Sequence, residues 1–339
     1  LASALAVMHN NAVPVFTDID PDTFNIDPEK IERKITPRTR AIIPVHLHGL
    51  CADMDPVLEI ARRRGLLVIE DCAQAHGAKY KGRAAGTMGD MAFFSVQASK
   101  NLPCGEGGFF VTNNEKFAAA ANSVRLFGQN ASFDDESLVD PLRPLDRGRG
   151  FESIGMGWQY MPGELPAAVT RAQLRKLDER NANARANGDF LSNAIKDIPG
   201  VIPPRIPENR VTVYHKYRIR LDAATAGVNA APTVFRDRVL AAIQAEGVEA
   251  CLWETLPLPL QKSFASRVGY GRECPWSCPL RDKPAAPAAP EDYAQAAALL
   301  DSSIVIGSHS FPVISQSIDT MKMYAEAIRK VFDNLSELF

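Results

Sequence analysis

Short apolar runs that end in polar residues recur along the first half of this chain. Residues 66–69 are all apolar and precede Glu70 and Asp71, and the apolar residues 91–94 precede Ser95. Apolar runs of this length, without alternation, are typical of parallel strands that are buried on both faces. Ligands of parallel sheets bind beyond the carboxyl ends of the strands, so this pattern predicts that Asp71 and Ser95 border a binding site.

Strand and helix patterns alternate over the same half of the chain. An aspartate precedes a proline at residues 27–28 and again at 55–56, and each pair predicts the start of a helix. Gly65 predicts the end of the second one. Strands are predicted at residues 13–19, 41–46, 66–71, 91–95 and 109–112, and a further helix at 116–127. This alternation predicts an α/β fold with right-handed crossovers and a mostly parallel central sheet.

The second half of the chain predicts a smaller domain. Residues 164–195 have apolar residues at broadly helical spacing and are predicted to connect the two domains. The elements predicted beyond them are an alternating strand at 213–221 and helices at 234–246 and 318–335. We therefore expect a large α/β domain over residues 1–165, a connecting helix over 166–195, and a smaller α+β domain over 196–339.

Composition narrows the class of protein. The 339 residues are 46% hydrophobic and 23% charged, with a net charge of −2, so the chain has no basic excess for nucleic acid or an acidic membrane. No apolar run approaches the roughly 20 residues that span a bilayer. The six cysteines form no paired framework, which fits a reducing cytoplasm. Small-molecule chemistry is the remaining expectation.

Lys100 follows Ser95 by five residues, in the loop beyond the predicted strand. Pyridoxal phosphate (PLP) requires a lysine for covalent attachment, an acid that keeps the ring nitrogen protonated, and donors for its phosphate. Lys100, Asp71 and Ser95 supply one of each. Acids after strands and solvated lysines are both common, however, so the spacing alone leaves a surface lysine as the alternative.

The sequence motifs around these residues are more informative about the class of protein than the spacing of the residues. The segments concerned are EDCAQAHGA at 70–78, YKGR at 80–83, FS at 94–95, KNL at 100–102 and GEGG at 105–108, with PVFTDID at 14–20 and IPVHLHG at 43–49 upstream. Together they resemble the DegT/StrS family, which are PLP-dependent aminotransferases of fold-type I acting on keto-sugars and keto-cyclitols. The resemblance covers nearly the whole chain and is strongest over residues 12–128.

The resemblance implies a role for each candidate residue. Lys100 would attach the cofactor, Asp71 would pair with its ring nitrogen, Ser95 would contact its phosphate, and Gln74 would contact the ring or its 3-hydroxyl. Gln74 as an ordinary polar turn residue is the alternative. The cofactor implied is pyridoxal 5′-phosphate.

A partner subunit is implied as well. Gln159 stands where relatives have an asparagine that reaches the cofactor phosphate of the neighbouring subunit, so a homodimer with the active site at its interface is expected. Met161 replaces an arginine of those relatives, which puts the role of that arginine in doubt.

Candidate substrate contacts are less specific. His46 and His48 lie two residues apart on a predicted strand, and we expect one of them to face the cofactor pocket; no further ligands complete a metal site, so no metal is expected. His215 stands where relatives often have a substrate-facing histidine, and a half-buried strand histidine is the alternative. Arg143 and Arg147, in a polar loop over 129–150, would meet a nucleotide diphosphate or remain solvated.

The resemblance also implies an upstream segment and an activity. Leu1-Ala2-Ser3-Ala4 resembles the middle of the family's large domain, so relatives' Gly-Thr phosphate contact and stacking aromatic residue would precede it. The expected activity is transfer of an amino group from glutamate or glutamine to a keto-sugar or keto-cyclitol, in amino-sugar, antibiotic or surface-glycan biosynthesis. Alternatives are a PLP dehydratase like the aminohydroxybenzoate synthases, which share the GEGG wording, and a non-catalytic regulatory relative.

Overall fold

The computed structural model of the protein describes residues 1–129, 153, 155–278, 288–308 and 311–339. The helices are α1 (Ala2–His9), α2 (Pro28–Ile31), α3 (Met54–Arg64), α4 (Glu115–Arg125), α5 (Glu164–Leu174), α6 (Leu177–Ile195), α7 (Pro232–Ala245), α8 (Lys262–Ala265), α9 (Ala294–Asp301) and α10 (Ile318–Asp333). The strands are β1 (Ala41–Ile42), β2 (Leu67–Asp71), β3 (Lys79–Tyr80), β4 (Arg83–Ala84), β5 (Met91–Ser95), β6 (Gly108–Thr112), β7 (Val201–Ile202), β8 (Arg210–Val211), β9 (Tyr217–Leu221), β10 (Ala250–Cys251) and β11 (Ser303–Ile306).

The first half of the chain forms a sheet with the strand order β1-β2-β5-β6. β2 is parallel to both β1 and β5, and only β6 runs antiparallel to its neighbour. Asp71 pairs with Phe93 in the register of β2 and β5. The carboxyl ends of these two strands therefore meet at one edge of the sheet, as the apolar runs predicted.

Helix α3 covers one face of this sheet. Its buried residues Met54, Val57 and Ile60 belong to the same apolar cluster as Val68 of β2 and Ala92 of β5. Burying side chains of this size contributes about 1.5–3 kcal/mol each, so this packing holds the two site-bearing strands together.

The sequence predicted the C-terminal end of α3 correctly, but not the residue at its N-cap. Gly65 ends the helix with φ of 64°, a left-handed conformation that glycine adopts without strain. The N-cap is Asp53 rather than Asp55, and the Asp53 carboxylate accepts a hydrogen bond from the Tyr80 hydroxyl at 2.7 Å instead of capping the helix.

The second half contains an antiparallel sheet with the order β10-β11-β9-β7. Tyr217 and Ile219 of β9 share an apolar cluster with Leu191 of α6, Phe235 of α7 and Ile328 of α10. A third small sheet, β4-β3-β8, pairs Lys79 with Val211 and so links the two halves.

Three predicted elements are shorter or interrupted. Residues 13–19 contribute only an isolated bridge between Ile19 and Ile26, and the strand predicted at 41–46 is regular only over Ala41–Ile42. Pro14 and Pro44 interrupt these two segments because proline has no backbone N–H to donate to a ladder. The strand predicted at 213–221 begins only at Tyr217.

The helix predicted over 164–195 is two helices, α5 and α6, that meet at a turn after Leu174. Leu177, the first residue of α6, is buried against Val96 and Leu102 of the loop that follows β5. This packing against a loop distant in sequence, which the local apolar pattern does not reveal, accompanies the break between α5 and α6.

Asp18 connects the two halves of the chain through buried hydrogen bonds, so substituting it tests how much these contacts stabilise the fold. Its carboxylate is 4% exposed, accepts hydrogen bonds from the backbone N–H groups of Gln295 and Ala296 at 3.0 and 2.9 Å, and lies 3.2 Å from the Lys30 ammonium. Burial raises the pKa of Asp18, but the backbone hydrogen bonds and Lys30 outweigh it and lower the pKa below its ordinary value.

We expect Asp18→Asn to lower the free energy of unfolding at pH 7 by about 1.5–3 kcal/mol, the usual worth of hydrogen bonds to a charged group. A carboxyl with a lowered folded pKa contributes stability above its unfolded pKa, and that contribution is lost as the pH falls through the folded pKa. Urea unfolding of both proteins should therefore show the difference shrinking below about pH 4. Glu326→Gln, at an exposed position of α10, is the control and should change little. An equal loss in both variants would contradict this role of Asp18.

Candidate functional site

Asp71 lies at the carboxyl end of β2 and is 5% exposed. Its two oxygens are held by different segments: the Ser3 hydroxyl of α1 donates to Oδ2 at 2.6 Å, and the Ala73 N–H donates to Oδ1 at 3.0 Å. Each oxygen retains a further lone pair. The carboxylate is thus fixed in orientation and still able to accept a proton donor from a ligand.

Lys100 lies in the loop that leaves the end of β5. Backbone hydrogen bonds from Ala98 to Gly105 and from Cys104 to Val96 fold this loop back on itself. The amine is half-buried, and burial lowers the pKa of Lys100 below its ordinary value, while the Asp71 carboxylate opposes the shift. Lys100 and Asp71 therefore share one electrostatic environment, in which a larger fraction of the amine is neutral and able to attack a carbonyl.

Gln74 and Ser95 complete the group of residues that the sequence predicted at this edge. The Gln74 Oε1 accepts a hydrogen bond from the His48 N–H at 2.7 Å, which leaves the amide NH₂ group as a donor. The Ser95 Oγ accepts from the Gln97 N–H at 3.3 Å and keeps its hydroxyl hydrogen. Both side chains are partly exposed. The two predicted cofactor donors are thus available to a ligand.

His76, which follows Gln74 by two residues in the same motif, lies near the same residues. Its ring is 3% exposed and 5.3 Å from the Phe94 ring, and burial lowers the pKa of His76 to about 4. Neither ring nitrogen makes a hydrogen bond of normal geometry, although the Ser95 backbone is close. Unsatisfied buried polar atoms are rare, so a polar ligand fits this place.

The structure does not support His46 as a substrate contact. His46 is fully buried, its Nε2 lies 2.9 Å from Glu70 Oε2, and its Nδ1 accepts from the Ala52 N–H at 3.1 Å. His46 and His48 also do not share a strand face, since His48 has a φ of 59° in a short 3₁₀ turn. Both ring nitrogens of His46 are occupied by the protein.

His46, Glu70 and Cys72 bring their potential metal-ligand atoms within 4.8 Å of one another. The Glu70 carboxylate, however, also accepts backbone hydrogen bonds from Gly86, Met88 and Gly89 at 2.6–2.8 Å. Burial raises the pKa of Cys72 far above its ordinary value, so this thiol stays protonated. Within this cluster, Glu70 and His46 belong to a hydrogen-bonded network that includes the backbone of residues 86–89.

His215 is buried and adjoins the lysine loop. Its Nδ1 lies 2.9 Å from Oδ1 of Asn101, the residue directly after Lys100, and the Asn101 amide donates to the Val213 carbonyl at 3.0 Å. This network ties the lysine loop to the segment before β9. Contact of His215 with substrate remains a prediction. Asn101 had a sequence signal only as part of the KNL wording.

The remaining predicted residues lie elsewhere. Gln159 is exposed and forms an isolated bridge with Leu126, and it makes no hydrogen bond to the lysine loop in the part of the chain described. Met161 beside it is 48% exposed. Arg143 and Arg147 lie outside the described residues.

Two residues at this site had no sequence signal as functional groups. Ser3, which holds Asp71, comes from a helix far away in sequence. Lys216 belongs to an alternating segment whose polar face would ordinarily be solvated, yet it is only 6% exposed. Its place within electrostatic reach of Lys100 depends on how the two halves pack.

Comparison with known proteins adds to this geometry. A model of the DegT/DnrJ/EryC1/StrS aminotransferase family matches residues 1–283. The chain belongs to this family. Membership confirms the resemblance of the sequence motifs and indicates pyridoxal phosphate as the cofactor, which the donor set of Lys100, Asp71, Ser95 and Gln74 fits.

Individual members of the family are similar over most of the chain. The L-glutamine:scyllo-inosose aminotransferase of Streptomyces griseus is 36% identical over 347 residues, which cover 100% of this chain and 76% of that protein. The pleiotropic regulatory protein of Geobacillus stearothermophilus is 36% identical over 274 residues, 79% of this chain and 65% of that protein. This chain spans only 55–65% of the length of that protein and of two other curated relatives it matches.

A solved structure agrees with the fold. The aminotransferase from Psychrobacter cryohalolentis superposes with a TM-score of 0.80 at 27% identity, covering 99% of this chain and 79% of that one. The predicted class, a mostly parallel α/β region followed by a smaller α+β region, is confirmed. Among the described helices, none has the length and apolar character to cross a bilayer.

Proposed function

We propose that this protein is a PLP-dependent aminotransferase that moves an amino group from glutamate or glutamine to a keto-sugar or keto-cyclitol. The observation that carries the proposal is the half-buried Lys100 amine within electrostatic reach of Asp71 at the carboxyl edge of the sheet, in a chain of an aminotransferase family. The Streptomyces griseus relative is named for L-glutamine and scyllo-inosose, which supports both substrate classes.

Each site residue has one task in this proposal. The Asp71 carboxylate, oriented by Ser3 and Ala73, holds a proton on the ring nitrogen of the cofactor. When bound, the cofactor supplies an electron-accepting ring that stabilises negative charge at the donor Cα. The Lys100 amine would remove the proton from that carbon as general base and, as general acid, deliver it to the C4′ carbon of the cofactor, so that the amino group stays with the cofactor when the donor leaves as a keto acid.

The donors at the strand ends position the cofactor. The Ser95 hydroxyl would bind the phosphate, and the free amide NH₂ of Gln74 would bind the ring hydroxyl. Because both residues follow strands of the same sheet, the ring and phosphate would be anchored on one rigid element, which favours a productive orientation.

We further propose that the protein is a cytoplasmic homodimer in which Gln159 reaches the partner's cofactor phosphate. We also propose that the large domain ends at residue 165 and that the small domain begins after residue 195. The side chains of Trp158 and Tyr160, next to Gln159, are 58% and 63% exposed. Exposed aromatic side chains of this kind support the proposal that a partner subunit covers this surface. Phe109 and Phe110 of β6 are also 45% and 42% exposed.

The rival function is a non-catalytic regulator, which the name of the Geobacillus relative favours. The presence of Lys100 together with Asp71 favours catalysis. The test is to add PLP to the complete protein, record the visible spectrum, and assay glutamate and glutamine against a panel of keto-cyclitols and nucleotide keto-sugars.

The outcomes separate the alternatives. An aminotransferase gives a visible band that each donor bleaches and an acceptor restores, with formation of the aminated product. A band without transfer to any acceptor, or loss of water from a cyclic ketone without net amination, would contradict the proposal, the latter in favour of the dehydratase. Absence of both band and turnover would favour the regulator.

A further inference from the structure

Lys216 lies one residue before β9, and its backbone N–H lies 3.5 Å from the carbonyl oxygen of His48, whose own N–H donates to Gln74. Its side chain is buried at 6% exposure, and the Nζ lies 4.0 Å from the centroid of the Trp253 ring. Burial, opposed by Cys251 and assisted by the positive charge of Lys100, lowers the pKa of Lys216 to about 8. The effect of Lys100 shows that the two amines lie within electrostatic reach of each other.

No carboxylate neutralises this end of the strand in the part of the chain described. Among the described residues, Lys216 has no ion-pair partner, and Arg218, on the same strand face, is 3% exposed and has His48 and Ser303 as its side-chain hydrogen-bond partners, both neutral, at 3.1 and 2.7 Å. Glu254 acts on Arg218 only from beyond ion-pair distance. Farther along the same face, Arg220 does have an acid, Asp22, at 3.2 Å.

The groups next to Lys216 and Arg218 do not supply a compensating negative charge either. Cys251 is the other ionisable group beside Lys216, and burial raises its pKa, so the thiol stays neutral. The buried Nδ1 of His48 has no hydrogen-bond partner; since the Nε2 accepts from Arg218, the Nδ1 carries the hydrogen and is an unused donor. Among the described groups around Lys216, those that lack a hydrogen-bond or ion-pair partner are cations and hydrogen-bond donors.

Keeping an ammonium out of water costs several kcal/mol unless an anion accompanies it. The aromatic face of Trp253 offsets part of this cost and holds the Nζ in place without using its N–H donors. Every glutamate or glutamine donor carries an α-carboxylate one bond from the carbon at which Lys100 must act. A keto-cyclitol carries no anion. The enclosure of Lys216 favours a small carboxylate over the diphosphate of a nucleotide sugar.

We propose that Lys216, held against Trp253, binds the α-carboxylate of the amino donor. This inference rests on the proposed aminotransferase function and adds a recognition residue to it. The carboxylate neutralises a buried cation that the free protein leaves unpaired, and it places the donor Cα toward Lys100.

The test compares Lys216→Met with the wild-type complete protein, both loaded with PLP. Methionine keeps the length and apolar packing of the side chain and removes its charge and donors. We expect the KM for glutamate and for glutamine to rise about 10- to 100-fold, as expected for one charge-assisted hydrogen bond. The KM for the ketone acceptor and the visible band should stay within about twofold, a change worth less than 1 kcal/mol.

Two further measurements keep the result interpretable. Binding of glutarate, a dicarboxylate that has no amine to react, should weaken in Lys216→Met when followed by the shift of the visible band. Arg220→Met removes a cation of the same strand face that already has Asp22 as its partner, and it should leave the donor KM unchanged. Lys216→Met should also unfold at no lower temperature than wild type, because it relieves an uncompensated charge.

The contrary outcomes are distinct. An unchanged donor KM in an active Lys216→Met enzyme would overturn the assignment while leaving the aminotransferase function intact. A rise for glutamate but not glutamine would place the donor's side-chain carboxylate there instead, and a rise for a nucleotide-sugar acceptor alone would place a phosphate there; each overturns the inference. A wild-type protein without transamination would refute the proposed function itself.

Discussion

Lys100→Ala is expected to lose turnover by about 10³-fold or more, because it removes both the covalent attachment of the cofactor and the amine that transfers the proton at the donor Cα. The visible band of the lysine-bound cofactor should disappear from the purified protein as well. Steady-state transamination with glutamine and an accepted ketone, together with the absorbance spectrum, measures both effects. The fold should persist, since Lys100 makes no side-chain hydrogen bond to another described residue and is only half-buried.

The matched control is Lys79→Ala, an exposed lysine of β3 in the same half of the chain. It should retain wild-type turnover and spectrum, because its amine lies outside the site. Turnover that survives in Lys100→Ala at more than about a tenth of the wild-type rate would be a loss of less than 1.4 kcal/mol in transition-state stabilisation. Such a result would be incompatible with Lys100 as both attachment point and base.

Glu70→Gln is expected to have the largest effect on stability. Glu70 is 1% exposed and accepts from His46 and from three backbone N–H groups, those of Gly86, Met88 and Gly89. A glutamine would turn an NH₂ donor toward N–H groups that need an acceptor. Removing one partner from a buried charged network costs about 3–5 kcal/mol, which is a large part of the 5–15 kcal/mol that stabilises a typical domain.

The pH dependence of this variant has a defined sign. Burial raises the pKa of Glu70, but His46 and the backbone donors outweigh it, so the folded pKa lies below the ordinary value. Glu70 therefore contributes stability above the ordinary carboxyl pKa, and its contribution is lost as the pH falls through the folded value. Guanidinium unfolding at pH 7 and at about pH 4 should show the difference between the proteins decreasing with acid.

Glu59→Gln is the control for this prediction. Glu59 lies on α3, is 66% exposed in its side chain and forms a surface ion pair with Arg63, so its loss should cost no more than about 0.5 kcal/mol. Equal free energies of unfolding for Glu70→Gln and wild type would show that the buried network does not stabilise the fold. A selective loss would show that the segment over 86–89, which adjoins β5, depends on the acid that directly precedes Asp71.

The contrast between Glu70 and Asp71 also explains why His46 lies away from the candidate site. The two acids are consecutive on β2, and alternation along the strand sends their side chains to opposite faces. Asp71 faces Ser3 and Lys100, whereas Glu70 faces the backbone of 86–89 and His46. The sequence pattern did not show which acid, or which histidine, lies on the Asp71 side of the strand and which lies on the Glu70 side.

What the sequence by itself determined is the local arrangement around each strand end. Apolar runs that end in Asp71 and Ser95, and a lysine five residues further, are set by side-chain periodicity and short connections, which act over a few residues. The family motif lies in the same short stretches. For this reason the class of fold and the cofactor could be predicted without a structure.

What only the tertiary structure decided is which distant groups complete the site. Ser3 reaches Asp71 across 68 positions, and Asn101 meets His215 across 114. Lys216 is buried rather than solvated because the strand that follows it packs its cationic face against the first half of the chain. Such contacts arise from the packing of the two halves, and a periodicity of two or of 3.6 residues carries no information about which surfaces meet.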